Sequence, residues 1–279
     1  MNKFKTYLKH PFSFIMLILI CLAALVTVAS IIFIIIYILE KGIPNLTPEL
    51  FSINYNSKNQ SMLPSIINTV YITFFTLLCA VPIGIFSAIY LVEYAKRGSK
   101  LVKVIRITTE TLAGIPSIVF GLFGFLAFVL ALGWGYSMIA GILTLTMMVL
   151  PTIIRTTEEA LLAVPDSYRE GSFGLGAGKL RTIFKIILPS AVSGILSGVI
   201  LAIGRIVGET AALIYTSGTV AEMSTSLMDS ARTLSVHLYC LLSEGLFTNQ
   251  AYATAVILLV LVVGINALSN FIAKKIAKT

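Results

Sequence analysis

The stretch Ser197-Gly-Val-Ile-Leu-Ala-Ile-Gly-Arg-Ile-Val-Gly-Glu-Thr-Ala-Ala-Leu-Ile214 holds two charged residues, Arg205 and Glu209, inside an otherwise apolar segment. An uncharged run over residues 186–204 precedes the pair, and another begins at Thr210. An ionisable group at the centre of a bilayer costs roughly 2.5–3.5 kcal/mol on insertion scales. Since Leu or Ala would avoid that cost, we predict that both charges face protein or water and serve a purpose there.

The composition of the whole chain is that of an integral membrane protein. Of its 279 residues, 57% are hydrophobic and 11% are charged, whereas soluble domains carry about 25% charged residues. The net charge of +8 does not indicate a nucleic-acid partner, because the basic residues lie in short loops between apolar runs. The cysteines have no metal-ligand spacing and are interpreted as apolar fillers. We expect contact with membrane lipid, no nucleic acid, no metal and no cofactor.

Six stretches are long enough to cross a bilayer, which takes about 20 apolar residues. They lie near residues 12–38, 64–92, 107–132, 136–158, 190–216 and 250–273. The first is too long for the apolar region of a signal peptide, which has about 7–15 residues. Gly133-Trp134-Gly135 predicts a tight turn between the third and fourth stretches. The expected fold class is an all-α polytopic membrane protein with six transmembrane helices.

The lysines and arginines predict the orientation of these helices. Sixteen of the 20 lie in segments on one side of the membrane, namely Lys3, Lys5, Lys9, Lys96, Arg97, Lys100, Lys103, Arg106, Arg155, Arg169, Lys179, Arg181, Lys185, Lys274, Lys275 and Lys278. Lys41, Lys58 and Arg232 lie on the opposite side. Because cytoplasmic loops carry the excess of Lys and Arg, both termini are expected in the cytoplasm of a cell-membrane protein.

The loop over residues 159–189 has the pattern of two short helices joined by glycines. Ser167 and Glu170 predict a capping box at the start of the first helix. A second amphipathic stretch, 179–188, is expected to stop at Pro189. On the basic side of a membrane protein, this arrangement indicates a docking segment, with a loop lying flat on lipid as the alternative.

Residues 174–180 bear a faint likeness to a phosphate-binding P-loop. That motif requires Gly where Phe173 stands and Ser or Thr where Leu180 stands, together with a preceding strand. None of these is present in the sequence. We therefore expect the chain not to hydrolyse ATP and to have no catalytic residues of its own.

The same loop resembles the EAA motif of ABC-importer permeases at Glu170-Gly171-Ser172, Gly176 and Ile186-Ile187-Leu188-Pro189. Gly-Ser replaces the usual Ala-Ala, which lowers helix propensity by roughly 1 kcal/mol at Gly171. The resemblance implies a type I ABC-importer permease fold. It also implies that the loop couples to an ATPase subunit through Glu170, Gly171, Ser172, Gly176, Leu188 and Pro189.

Four further segments, 114–124, 151–159, 205–213 and 232–237, look like the phosphate-specific branch of these permeases. The resemblance covers the chain from about residue 60. It implies a non-catalytic permease subunit that forms half of a phosphate pathway, with a second permease subunit, an ATPase dimer and an external phosphate-binding protein as partners. We expect an N-terminal helix and external loop over 1–60 and the permease domain over 61–279, with the coupling loop at 159–189.

In that family the residues matching Arg205 and Glu209 are implicated in phosphate passage. Their i, i+4 spacing predicts that they share one helix face near the bilayer midplane, with Thr210 as a further donor. The alternative is an ion pair that only locks two helices together. On the outside, Arg232 and His237 are expected either to contact the binding protein or to form a solvated face.

Other functions remain open on the residues alone. The chain could be the sister permease of the same importer, or a permease for another oxyanion such as sulfate or molybdate. A passive anion channel or secondary transporter has no reason to carry the docking loop. A membrane sensor or scaffold would use Arg205 only structurally.

Overall fold

A computed structural model of the protein describes residues 11–96 and 98–276, apart from the side chains at positions 11 and 276. Every regular element in these ranges is helical. Of the residues used to predict the orientation, Lys3, Lys5, Lys9, Arg97 and Lys278 lie outside the described ranges.

The helices are α1 (Pro11–Gly42), α2 (Leu63–Ile89), α3 (Lys100–Ala113), α4 (Ser117–Gly124), α5 (Met138–Leu162), α6 (Asp166–Gly174), α7 (Lys179–Thr182), α8 (Leu188–Val207), α9 (Ala211–Thr216), α10 (Leu234–Glu244) and α11 (Thr248–Ile276). Three-residue and four-residue 3₁₀ helices lie at Ile43–Asn45 and Pro48–Phe51. Wider π-helical turns at Tyr90–Tyr94, Phe125–Ala131 and Ile183–Ile187 continue α2, α4 and α7.

Five helical runs are long and apolar enough to cross a membrane, at Phe12–Asn45, Leu63–Tyr94, Met138–Leu162, Lys179–Val207 and Thr248–Lys275. Three of them, Leu63–Tyr94, Met138–Leu162 and Thr248–Lys275, run in one direction between two ends of the bundle, and the other two run in the opposite direction. We call the end formed by residues 95–106, 159–187 and 274–275 the basic face, and the end formed by 43–62, 132–137 and 217–247 the distal face. The predicted Gly-Trp-Gly turn is confirmed at the distal face, where Gly133 and Gly135 adopt φ values of 67° and 65°.

The third predicted span, 107–132, is wrong as a single helix. The chain bends by 103° between α3 and the run Ser117–Ala131. The bend follows from Gly114-Ile-Pro116, because proline disfavours the helical conformation in the residue before it. The basic helix α3 therefore runs along the basic face, and only the residues after Pro116 return towards the distal face.

The core surrounds α5, which is the most buried of the candidate spans. Small residues let neighbouring helices approach it closely, as is common between helices in membranes. Gly194 and Gly198 of α8 lie against Ala160 and Thr156, so a side chain at Gly198 would collide with the threonine. This pairing fixes the antiparallel register of α8 on α5. By contrast, α1 buries none of its apolar window in this chain.

The predicted helix stop at Pro189 is also wrong. The helix runs on from Lys179 to Val207, with Pro189 in the first turn of α8. Proline lacks the N–H that an α-helix interior requires. Here the wider turn at Ile183–Ile187 changes the hydrogen-bond spacing just before the proline, as π-bulges do. The coupling loop is thus joined to the membrane-spanning part of α8 by continuous helix.

Candidate functional site

Arg205 lies in the last turn of α8 and lines an open groove of about 670 Å³. The polar residues of this groove are Thr152 of α5, Ser197 of α8, and Asn266 and Asn270 of α11. Arg205 is half-buried, and none of the residues that the structure describes forms a hydrogen bond or ion pair with its guanidinium. A permanent positive charge is therefore left without a partner on the wall of this groove.

The depth of Arg205 follows from the packing of α8 on α5. Gly194 faces Ala160 and Gly198 faces Thr156. Continuing this register places Arg205 level with about residue 149, roughly 17 Å from the distal end of α5 and roughly 20 Å from its other end. The predicted position near the middle of the bilayer is therefore consistent with the structure.

The predicted helical pairing of Arg205 with Glu209 is wrong. Helix α8 ends at Val207, with Gly208 as its C-cap. The Glu209 carboxylate instead accepts a hydrogen bond from the backbone N–H of Ala212 at 3.0 Å, which satisfies an amide at the start of α9. Within the described ranges no ion pair joins Arg205 to Glu209. Arg205 thus lies on α8, whereas Glu209 lies in the break between α8 and α9, where its carboxylate caps the second helix.

Glu209 is buried, with 8% of its surface exposed. Its backbone carbonyl accepts a hydrogen bond from the Ser235 hydroxyl at 2.6 Å, which connects this turn to α10. Helix α9 is in turn packed tightly on α4, where a Cβ at Gly121 would lie 2.8 Å from the Cα of Ala212. The geometry thus makes Glu209 a capping residue at a junction of three helices.

Thr210 does not reach the groove either. It occupies the N-cap position of α9, and its hydroxyl lies 3.5 Å from the carbonyl oxygen of Gly208. Of the three residues predicted for the substrate pathway, the structure brings only Arg205 into the groove. Asn266 and Asn270, which the sequence analysis passed over, lie there instead. The signal that could have found them is their spacing of four residues in an apolar helix.

The predicted coupling residues lie on or near a short helix at the basic face. Glu170 and Gly171 are exposed on α6, whereas Ser172 faces inwards and its hydroxyl lies 2.8 Å from that of Thr182. Gly176 adopts a φ of 79°, which permits the turn between α6 and α7. Farther along, Leu188 is partly buried and Pro189 is exposed.

The predicted capping box on α6 is absent. The helix begins at Asp166, with Pro165 as its N-cap and no side-chain capping bond. Ser167 therefore lies inside the first turn rather than at the N-cap, where a capping box requires it. Glu170 is left free to point outwards from the basic face.

Arg169 is the residue of this segment that sequence reasoning missed. Its guanidinium forms an ion pair with Glu93 at 2.8 Å and donates to the carbonyl oxygens of Leu161 and Val164 at 3.0 and 2.9 Å. Asp166 accepts a further bond at 3.2 Å. Arg169 and Glu93 have only 15% and 8% of their side chains exposed. This cluster, which we call the Arg169 latch, ties α6 to the ends of α2 and α5.

On the distal face, Arg232 and His237 contact each other. Arg232 Nη1 lies 3.3 Å from His237 Nδ1, and its Nε donates to the Thr219 carbonyl at 2.7 Å. The guanidinium lies 5.7 Å above the ring of Tyr55. His237 is completely buried, so it offers no surface to a partner, whereas Arg232 is half-buried. The predicted contact of His237 with a binding protein could therefore only be indirect.

The environment of His237 keeps its imidazole neutral. Burial, and after it the positive charge of Arg232, lower the pKa of His237 from 6.5 to about 4, while the Gln60 carbonyl acts in the opposite direction. The imidazole lies edge-on to the ring of Tyr55 at 6.4 Å. Together these contacts hold α10 against the segment over residues 55–60.

Comparison with known proteins identifies the family. Residues 80–278 match the sequence model of the family described as binding-protein-dependent transport system inner membrane component. The chain belongs to this family. Membrane localisation follows from the family together with the candidate spans.

Among curated relatives, the probable ABC transporter permease protein YqgI of Bacillus subtilis (strain 168) is 38% identical over 192 residues, which are 64% of this chain and 65% of that protein. The phosphate transport system permease protein PstA of Mycobacterium leprae (strain TN) is 38% identical over 190 residues, which are 67% of this chain and 62% of that protein. The matched region thus spans just under two thirds of the length of these relatives.

Solved structures agree on the fold. A bacterial alginate ABC transporter, in complex with a periplasmic protein that binds an alginate pentasaccharide, matches with a TM-score of 0.70 at 16% identity and covers 100% of this chain and 99% of that one. The MetNI methionine ABC transporter matches with a TM-score of 0.60 at 20% identity and covers 76% and 93%. The expected all-α, type I ABC-importer permease fold is confirmed.

Breaking the Arg169 latch should loosen α6 and the adjoining α7. Glu93→Gln removes the charge that faces a buried guanidinium, and losing one partner of a buried pair costs far more than losing an exposed one. We expect trypsin to cleave after Lys179 or Arg181 at least about tenfold faster in the purified variant, a change of about 1.4 kcal/mol.

The matched control for this experiment is Glu159→Gln. Glu159 pairs with Arg155 at 2.9 Å, but both side chains are about 60% exposed, and such a surface pair contributes little. Equal cleavage rates in the two variants would contradict the latch.

The docking of α10 should depend on pH. Because the folded pKa of His237 lies below its unfolded value, this residue's contribution to stability is fully present above pH 6.5 and is lost as the pH falls towards 4. Hydrogen exchange of the backbone amides of 234–244, corrected for intrinsic rates, should speed up over this window in the native chain. In His237→Gln, which cannot be protonated, this acceleration should be absent; an equal acceleration in both proteins would refute the assignment.

Proposed function

We propose that this chain is a permease subunit of an ATP-driven phosphate importer and forms half of its translocation pathway. The observation that carries the proposal is the unpartnered guanidinium of Arg205 on the wall of an open groove at mid-membrane depth. A guanidinium binds phosphate oxygens through two parallel, charge-assisted hydrogen bonds. Relatives named as phosphate transport system permeases, among them that of Yersinia pestis at 38% identity, support this choice of anion.

In this proposal a second, PstC-like permease subunit closes the open side of the groove. The pathway then lies between the two subunits, so that neither chain alone conducts phosphate. A charge at this depth is tolerated only if it faces protein or water. The partner subunit would supply the wall that keeps lipid away from Arg205.

The remaining partners dock at the two faces of the bundle. A PstB-like ATPase dimer binds the basic face and hydrolyses ATP, so this chain has no catalytic role. A PstS-like phosphate-binding protein delivers its ligand at the distal face. There the half-buried Arg232 contacts it, and His237 holds Arg232 in position. The excess of Lys and Arg in the loops of the basic face supports a cytoplasmic location for the basic face and for both termini.

Movement passes from the ATPase to the groove through this chain's own contacts. Glu170 and Gly171, exposed on α6, meet the ATPase, together with the turn at Gly176. The Arg169 latch carries the displacement of α6 to the ends of α2 and α5. The contact between Ser172 and Thr182 carries it into the helical run that bears Arg205 in its last turn. Leu188 and Pro189 lie within that run and complete the coupling segment.

Removing the guanidinium should stop phosphate transport without dissociating the subunits of the transporter. In membrane vesicles containing the full transporter, Arg205→Ala is expected to lower phosphate uptake at least about 100-fold, because two hydrogen bonds to a charged group contribute about 1.5–3 kcal/mol each. Arg155→Ala, which alters an exposed arginine on α5, should transport normally. Normal uptake by Arg205→Ala in an assembled complex would overturn the proposal.

The same experiment assigns the role of Glu209. Glu209→Gln retains an oxygen that can accept the bond from Ala212, so uptake should stay close to that of the native chain if the residue is only a cap. Glu209→Ala removes the cap, which costs about 0.5–2 kcal/mol, and should impair assembly. Loss of uptake in an assembled Glu209→Gln complex would show instead that the negative charge itself is required.

A further inference from the structure

The groove beside Arg205 contains two carboxamides that have no hydrogen-bonding partner among the residues that the structure describes. Asn266, which is half-buried, and Asn270, which is exposed, lie four residues apart on α11, within the run Thr248–Lys275 that is long and apolar enough to cross a membrane. Both line the groove, and no residue in the described ranges forms a hydrogen bond with either of them. An amide moved into an apolar environment without a hydrogen bond costs roughly 2–7 kcal/mol.

The contact between α8 and α11 brings Asn266 to the turn that carries Arg205. A Cβ built on Gly204 would lie 3.9 Å from both Nδ2 and Oδ1 of Asn266. The carboxamide therefore faces the backbone next to Arg205, at van der Waals distance from a side chain built there. Asn270 follows one helical turn later on the same face of α11.

The contact of α11 with α1 does not account for the two asparagines. Where α11 meets α1, the close contacts are those of Gly42 with Tyr252 and Val256, far along the helix from Asn266. Neither carboxamide is used there. Any hydrogen-bonding partner of the two carboxamides therefore lies in the groove or on a molecule that enters the groove.

We propose that Asn266 and Asn270 bind the transported anion together with Arg205 and favour an oxyanion that still carries a proton. This inference rests on the proposed phosphate pathway. The amide NH₂ groups donate to anionic oxygens, and the amide oxygens accept from an acidic hydroxyl of the anion. Phosphate keeps at least one such hydroxyl at neutral pH, whereas sulfate has none, so sulfate leaves the amide oxygens unpaired.

Neutral amides also suit a site that must release its ligand. A transport site has to bind strongly enough for entry and weakly enough for departure. Arg205 is the only charged residue among those lining the groove. The carboxamides add contacts to the anion and discriminate between phosphate and sulfate. They do so without a second positive charge, which would hold the anion in place.

The first measurement is phosphate uptake by vesicles that contain the complete transporter. Asn266→Leu and Asn270→Leu should each lower the maximal uptake rate at least about tenfold, since an unmet hydrogen bond costs about 1–3 kcal/mol. Co-purification of the subunits should be unchanged. The matched control is Ser269→Leu, which changes a polar residue of the same helix that does not line the groove and should transport normally.

The second measurement compares two anions on the solubilised transporter without its binding protein. Inorganic phosphate should raise the thermal unfolding midpoint more than inorganic sulfate at equal ionic strength, because a ligand that binds the folded state stabilises it. The two leucine variants should lose this difference, and Ser269→Leu should keep it. A native preference that survives in both leucine variants overturns the inference.

The outcomes separate this inference from the proposed function. If the leucine variants transport normally while Arg205→Ala does not, the asparagines have no part in binding and the phosphate pathway stands. If Arg205→Ala also transports normally, both proposals fail. If the leucine variants no longer co-purify with the second permease subunit, the asparagines hold that subunit rather than the anion, and the inference is again wrong.

Discussion

A guanidinium level with the middle of the candidate membrane-spanning helix α5 is the constraint on which the rest of this structure depends. Arg205 cannot face lipid without a large cost, and the described residues of the chain do not neutralise it. The surrounding helices leave it an open groove instead, with small residues fixing how closely α8 approaches α5. The helix that carries Arg205 ends two residues later, and Glu209 is committed to capping the next helix. The unpaired charge is therefore a property of the fold.

Two arginines of this chain illustrate opposite uses of the same side chain. Arg169 is buried and bonded to two carboxylates and two carbonyl groups. Such a satisfied guanidinium fixes the position of the segment that carries it, since breaking a buried pair is costly. Arg205 has none of these partners and stays available to a ligand. One helical run connects the two regions, through the contact of Ser172 with Thr182 and then along α7 and α8.

Sequence patterns predicted the number and placement of most spans because apolar length is a local property. They also predicted the family, because the spacing of the motif from Glu170 to Pro189 is likewise a local property of the sequence. They failed where one residue's backbone decides the path: at Pro116, which bends the third span, and at Pro189, which a π-helical turn accommodates. The predicted pairing of Arg205 with Glu209 is wrong because a carboxylate three residues before a free amide can cap a new helix, as Glu209 does here. Arg169 with Glu93, and Asn266 with Gly204, are contacts between distant segments that spacing alone does not reveal.

The central claim is that the groove beside Arg205 is an aqueous path inside the assembled transporter. It is tested most directly by cysteine accessibility at Ser197, which lines the groove, with Gly264 of α11 as a control that has no neighbour within 4 Å of a built Cβ. After the three native cysteines have been replaced, Ser197→Cys should react with a membrane-impermeant, anionic thiosulfonate in the complete complex, and phosphate should slow that reaction, while Gly264→Cys should stay inert. A Ser197→Cys that reacts only with a lipid-soluble maleimide would contradict the account, because the groove would then face lipid.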